Sequence, residues 1–69
     1  MEITNAERAK RAAQTLEAYK RAYAAPDCDT HEAMTDLITD LLHLARAKNI
    51  EPGRMLAMAQ YHFEAETKN

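Results

Sequence analysis

Apolar residues recur three and four positions apart in three stretches of the chain, which is the spacing of amphipathic helices. Two short segments, residues 25–29 and 49–53, separate the stretches, and each contains a proline, which helix interiors exclude. The pattern predicts helices over about residues 4–24, 30–48 and 52–66 and no strands. We therefore expect an all-α fold, a three-helix unit in which helices 2 and 3 form a hairpin across a short connection.

The predicted helix ends carry capping signals. Thr4 and Glu7 fit the capping box, in which a hydroxyl and a carboxylate satisfy free backbone donors at a helix start. Pro52 suits the first position of helix 3, where a backbone N–H is not needed. Asn49 suits a left-handed residue just beyond helix 2, with Ile50 folding back as a hydrophobic contact. The sequence therefore predicts a tight turn between helices 2 and 3.

Helix 2 has the broadest apolar stripe of the three, and Asp29 with Glu32 repeats the capping-box pattern at its start. Its apolar positions fill about half of a helical wheel: Ala33, Met34, Leu37, Ile38, Leu41, Leu42, Leu44 and Ala45. A stripe of this width predicts a central helix that packs against at least two neighbours. The stripe of helix 1 is nearly all alanine before Leu16, so the first half of helix 1 can bury little surface.

The length of the chain bounds its architecture and function. With 69 residues, 46% of them hydrophobic, it is long enough for a single domain over residues 1–69 and too hydrophobic to be disordered. A core of this size seldom supplies more than about 3–5 kcal/mol, and a homodimer would add buried area. We expect a homodimer. An enzyme pocket is hard to build in so short a chain, so we expect a non-enzymatic protein without a cofactor.

The charge, hydropathy and cysteine content of the chain indicate which classes of partner and which cellular compartment to expect. The net charge of −2 argues against a nucleic-acid binder that neutralises phosphates. No apolar run reaches the roughly 18 residues of a membrane span, and no signal-peptide pattern occurs. The single cysteine cannot form an internal disulfide framework. These features predict a cytoplasmic protein that binds another protein rather than nucleic acid or membrane.

The most metal-like cluster lies on the polar side of helix 2 and consists of Glu32, Asp36, Asp40 and His43. Asp40 and His43 have the i, i+3 spacing of carboxylate-bridged metal sites. Such sites need inward ligands from several helices, whereas these residues lie opposite the apolar stripe. We therefore expect no metal site here but a solvated polar face, on which Asp36, Asp40 and His43 are candidate partner contacts.

Two further residues carry possible chemistry. His62 lies within the apolar stripe of helix 3, where Glu66, four positions on, could pair with it. A core or interface histidine is the favoured interpretation, and a pH-sensitive contact is the alternative. Cys28 lies between Asp27 and Asp29, whose charges disfavour the thiolate, so we expect an unreactive thiol.

The three tyrosines are the best candidates for contact with another protein. Tyrosine offers a large contact area and a hydroxyl at low entropic cost. Tyr19 and Tyr23 lie on helix 1, which has little else to bury. Tyr61 lies off the main apolar face of helix 3, beside Arg54 and Ala65, so an exposed Tyr61 would need a partner.

The segments 36–45, DLITDLLHLA, and 59–66, AQYHFEAE, resemble small helical accessory proteins of bacteriophages and bacterial mobile elements. The resemblance extends over about residues 31–66. It implies an accessory role in which a compact helical protein modulates or inhibits a host or phage protein by occupying its surface. It assigns no functional residue.

Two other functions remain open at the level of the sequence. One is a small DNA-associated regulator in which the basic residues of helix 1 would contact phosphates. Helix 3 would then read the bases, but it has only Arg54 and Gln60 for this role. The other is a metal-dependent helical enzyme or sensor. Its candidate residues are Asp36, Asp40, His43, His62 and Glu66.

Overall fold

A computed structural model of the chain describes residues 3–24 and 27–68. They form three α-helices, α1 (Asn5–Tyr23), α2 (Thr30–Ala47) and α3 (Pro52–Thr67), and no strand occurs within these two ranges. The predicted all-α fold and the hairpin of helices 2 and 3 are confirmed, and every predicted helix end lies within one residue of the observed one. Pro26, predicted to separate helices 1 and 2, lies outside the described residues.

The chain divides into two compact units, Met1–Ile38 and Thr39–Asn69. The first unit contains α1 and the first half of α2, and it buries Leu16 and Ala33. The second contains the rest of α2, the turn and α3, and it buries Ala45. Among the described residues each unit therefore has a very small core, and two of the three buried side chains are single methyl groups.

Local hydrogen bonds explain where α1 and α2 begin. The backbone N–H of Glu7 donates to Oγ1 of Thr4 at 3.1 Å, and the N–H of Thr4 donates to Oε1 of Glu7 at 3.3 Å. This is the predicted capping box, complete in both directions. At the start of α2, the N–H of Glu32 donates to Oδ1 of Asp29 at 2.8 Å. Both starts are therefore set by side chains that the sequence pattern identified.

The turn between α2 and α3 is fixed by the backbone angle of Asn49, which has a φ of 61°. Its N–H donates to the carbonyl of Arg46 at 3.1 Å, and the N–H of Ile50 donates to the carbonyl of Ala45 at 2.8 Å. These two bonds form the Schellman motif that ends many helices. The predicted left-handed residue and tight turn are confirmed.

Glu51 caps the start of α3, a role that the sequence analysis missed. Its carboxylate accepts hydrogen bonds from the N–H groups of Gly53 at 3.2 Å and Arg54 at 2.7 Å. Glutamate is not among the preferred N-cap residues, so composition gave no signal for it. The predicted position of Pro52 already placed Glu51 at the N-cap of α3, but the residue type gave no reason to assign it the role.

The apolar stripe of α2 is less buried than its width predicted. Ala33 and Ala45 are buried, while Met34, Ile38, Leu41 and Leu44 are 45–53% exposed. The two alanines are thus the most fully covered positions of the stripe, while Leu37 and Leu42 are half-buried. On α3, the predicted apolar face includes no buried residue.

Substitution of Asn49 tests the turn. We expect Asn49→Val to lower the free energy of unfolding by about 1–2 kcal/mol, because a β-branched residue is strained at positive φ. Asn49→Gly should leave stability unchanged or slightly raised, since glycine adopts this angle without a Cβ penalty. Urea unfolding followed by circular dichroism measures both. Equal losses for the two variants would show that the backbone angle is not what Asn49 provides.

Candidate protein-binding surfaces

Tyr19 and Tyr23 form a ring pair on α1. Their ring centroids are 5.4 Å apart and their planes are inclined by 55°. Tyr19 is half-buried, whereas Tyr23 is 79% exposed. The structure therefore brings these two predicted contact residues together, with the inner ring supporting the outer one. An exposed ring held in this way is a low-entropy contact for another protein.

Tyr61 lies on α3 in the second unit and is 64% exposed. Its ring meets the imidazole of His62 edge to face, with centroids 5.8 Å apart. It borders a shallow depression along the end of α3 that is also lined by Glu64, Ala65, Thr67 and Lys68. The exposed position agrees with the placement of Tyr61 off the main apolar face.

Asp36, Asp40 and His43 are all exposed on α2. Asp36 belongs to the first unit, and Asp40 and His43 belong to the second. Their exposure fits the solvated polar face expected from the sequence, and their role as partner contacts stays a prediction. Within residues 3–24 and 27–68, no group of three or more histidine, cysteine or acidic side chains could hold a metal ion.

His62 is exposed, so the interpretation of this residue as part of the core is wrong for this chain. The physical reason is that little covers this part of α3, where residues 56–68 are all exposed. An interface role for His62 and its pairing with Glu66 stay predictions.

Cys28 is half-buried just before α2. Its Sγ donates to the backbone carbonyl of Asp29 at 3.6 Å and to Oε2 of Glu32 at 3.7 Å. Partial burial raises the pKa of the thiol, and the charge and hydrogen bond of Glu32, with the charges of Asp36 and Asp29, raise the pKa further. The predicted direction is confirmed, but the main carboxylate is Glu32, in the first turn of α2, rather than Asp27.

The reactivity of Cys28 tests this arrangement. Because a raised pKa lowers the thiolate fraction at a given pH, alkylation by iodoacetamide in mildly alkaline buffer should be slower in the folded chain than in urea. Glu32→Gln removes the main negative charge, lowers the pKa of the thiol and should speed alkylation at least about twofold. Asp27→Asn is the matched control, with a smaller effect. A larger effect of Asp27→Asn than of Glu32→Gln would show that Glu32 is not the main carboxylate that raises the pKa of Cys28.

The largest feature that sequence reasoning missed is the extent of exposed apolar surface. In the described part of the chain, ten large apolar or aromatic side chains are at least 45% exposed: Tyr23, Met34, Ile38, Leu41, Leu44, Ile50, Leu56, Met58, Tyr61 and Phe63. Seven of these belong to the second unit. Most of them lie on the apolar stripe of helix 2 or on the predicted apolar face of helix 3, which consists of Met55, Leu56, Met58, Ala59, His62 and Phe63. Periodicity shows which residues share a face but not whether anything covers that face. Extended exposed apolar surface on a small protein marks an interaction site.

Comparisons with protein-family models, with curated proteins and with solved structures return no match for this chain. None of the helices in the described part of the chain has the length and apolar character needed to span a membrane. The geometry of the exposed side chains is therefore the basis for assigning a function.

Proposed function

We propose that this protein is a non-enzymatic protein-binding module, which modulates or inhibits another protein by occupying its surface. The observation that carries the proposal is the contrast between burial and exposure. The described residues bury only Leu16, Ala33 and Ala45, whereas ten large apolar or aromatic side chains are 45–79% exposed. A chain with so little core gains most of its further stabilisation by covering this surface with another protein.

Tyr23 and Tyr61 are the proposed anchors. They are the two most exposed of the ten large side chains, at 79% and 64%, and each contacts a neighbouring ring that restricts it. Tyrosine is enriched among the few residues that carry most of the free energy of binding at interfaces. In the first unit Tyr19 supports Tyr23, and exposed Asp36 supplies a polar contact. In the second unit exposed Asp40 and His43 supply polar contacts. Such charges set orientation more than affinity.

The nature of the partner is proposed from the resemblance to small helical accessory proteins of bacteriophages and mobile elements. The partner would be a host or phage protein in the bacterial cytoplasm. The mechanism is steric, because a helical module that covers a functional surface inhibits it without any chemical step.

Affinity capture tests the proposal. Tagged wild-type chain is incubated with lysates of uninfected and phage-infected bacteria, and bound proteins are identified by mass spectrometry. We expect one partner at near-equal stoichiometry. Tyr23→Ala and Tyr61→Ala should each weaken binding of that purified partner by about 2 kcal/mol, roughly thirtyfold in Kd, without loss of helicity.

Gln14→Ala is the matched control, since Gln14 is exposed and polar and lies on α1. It should bind as the wild type does. Retained binding by both tyrosine variants would refute the assigned anchors. Failure to capture a protein from either lysate, or loss of the helical signal on Tyr61→Ala, would contradict the proposal itself.

A further inference from the structure

One side of α3 presents a regular stripe of exposed residues. The stripe consists of residues spaced four, three, four and three positions apart: Arg54, Met58, Tyr61, Ala65 and Lys68. This is the spacing of the contact seam between two packed helices. Pro52 and Met55 are the half-buried residues of α3, and at about 100° per residue Tyr61 lies about 120° or more from both. Met58 lies nearer, about 60° from Met55, so the stripe borders the half-buried side of α3 at Met58 and faces away from it at Tyr61.

The charges along α3 are arranged so that the helix complements itself when reversed. Residues 55–63 contain no charged side chain, while Arg54 precedes this segment and Glu64 follows it. Further out, Glu51 and Lys68 carry the opposite signs. An antiparallel copy of α3 would place Arg54 beside Glu64 and Glu51 beside Lys68 of the second copy, whereas a parallel copy would place like charges together.

The same charges oppose the dipole of α3 itself. α1 and α2 have acidic residues in the first turn and basic residues in the last turn, as a helix dipole favours. α3 has no acidic first-turn residue and no basic last-turn residue. It has Arg54 near its positive end and Glu64 and Glu66 near its negative end. Only its caps, Glu51 and Lys68, have the favourable sign. In an antiparallel pair, the negative dipole end of the second α3 lies beside Arg54. Its positive end lies beside Glu64 and Glu66.

We propose that α3 pairs antiparallel with α3 of a second copy of this chain, about a two-fold axis near Ala59 and Gln60. In this register Met58 of each copy meets Tyr61 of the other, and the small side chain of Ala65 gives room to the stem of Arg54. The inference rests on the proposed function only in treating exposed α3 as a protein contact. A second copy occupies Tyr61 when the other partner is absent, so the two compete for this side chain.

The size of the contact sets its strength. Met58 and Tyr61 are 49% and 64% exposed and together leave roughly 200–250 Å² to bury in each copy. This area lies well below the roughly 800 Å² per partner of a standard stable interface. We therefore expect a monomer–dimer equilibrium with a Kd of about 100 µM, not an obligate dimer.

Sedimentation equilibrium of the purified full chain tests the pairing. Between about 10 µM and about 500 µM, the weight-average mass should rise from the monomer value of 7.8 kDa towards twice that value. Tyr61→Ala should hold the mass at the monomer value. A wild-type chain that stays monomeric across this range would overturn the inference, and capture of a different protein by that monomer would still support the proposed function.

Charge reversal tests the antiparallel register. Arg54→Glu places like charges opposite Glu64 and should weaken the dimer by about tenfold or more, as should Glu64→Arg. The double variant Arg54→Glu with Glu64→Arg restores opposite signs and should recover dimerisation. Arg54→Glu also suits the dipole of α3, so misfolding would not explain a loss. A dimer indifferent to the single reversals, or not rescued by the double one, would overturn the pairing.

Discussion

Replacement of Leu16 by alanine is expected to remove most of the stability of the chain. Leu16 is the only large side chain that is buried among the described residues, at 8% exposure. Truncation of a buried leucine to alanine costs about 2–5 kcal/mol, and we expect about 2–3 kcal/mol in a core this small. Because such a core supplies at most about 3–5 kcal/mol, the melting temperature should fall by about 10–20 °C.

Leu41→Ala is the matched control, since it makes the same chemical change at a leucine that is 45% exposed. It should cost about 1 kcal/mol or less, because little of its surface leaves water on folding. Thermal and urea unfolding followed by circular dichroism measure both variants. Equal losses for Leu16→Ala and Leu41→Ala would show that Leu16 does not anchor the first unit.

Enlargement of Ala33 to leucine should have the next largest effect. Ala33 is completely buried, at 0% exposure, so α2 is approached there closely enough to leave no room for a larger side chain. Overpacking of a filled site costs about 1–3 kcal/mol, because neighbouring side chains and backbone must shift. Leucine is nearly as good a helix former as alanine, so a loss would report packing and not helix propensity.

Ala47→Leu provides the comparison for Ala33→Leu. Ala47 is an exposed residue at the end of α2, where a longer side chain extends into solvent. Its replacement should change the free energy of unfolding by no more than about 0.5 kcal/mol. If Ala33→Leu were equally neutral, the close approach at Ala33 would not exist.

The helix ends could be predicted because the interactions that set them are local. Thr4 and Glu7 satisfy each other across three residues, and Asn49 ends α2 through its own backbone angle. Such effects need no knowledge of the rest of the chain. Glu51 escaped prediction because glutamate is not among the residue types preferred at the N-cap, although its carboxylate accepts two backbone N–H groups here.

Burial could not be predicted in the same way, because it depends on how much neighbouring side chains cover. The period of α2 groups Met34 and Leu41 with Ala33 and Ala45, yet only the two alanines are buried. Periodicity gives the direction of a side chain but not the length of the side chains that face it. The exposed position of Tyr61 was predictable, since it lies off the apolar face, whereas the exposure of Leu56 and Phe63 on that face was not.

The hydrogen bonds that cap these helices also affect how fast the protein acquires its structure. The bonds from Glu7 to Thr4, from Glu32 to Asp29 and from Ile50 to Ala45 each join residues no more than five positions apart. Contacts this near in sequence form within about microseconds, because little chain entropy is lost in closing them. Helix formation at these ends is therefore faster than a typical encounter with another protein, so folding of the helices would not limit the rate of association.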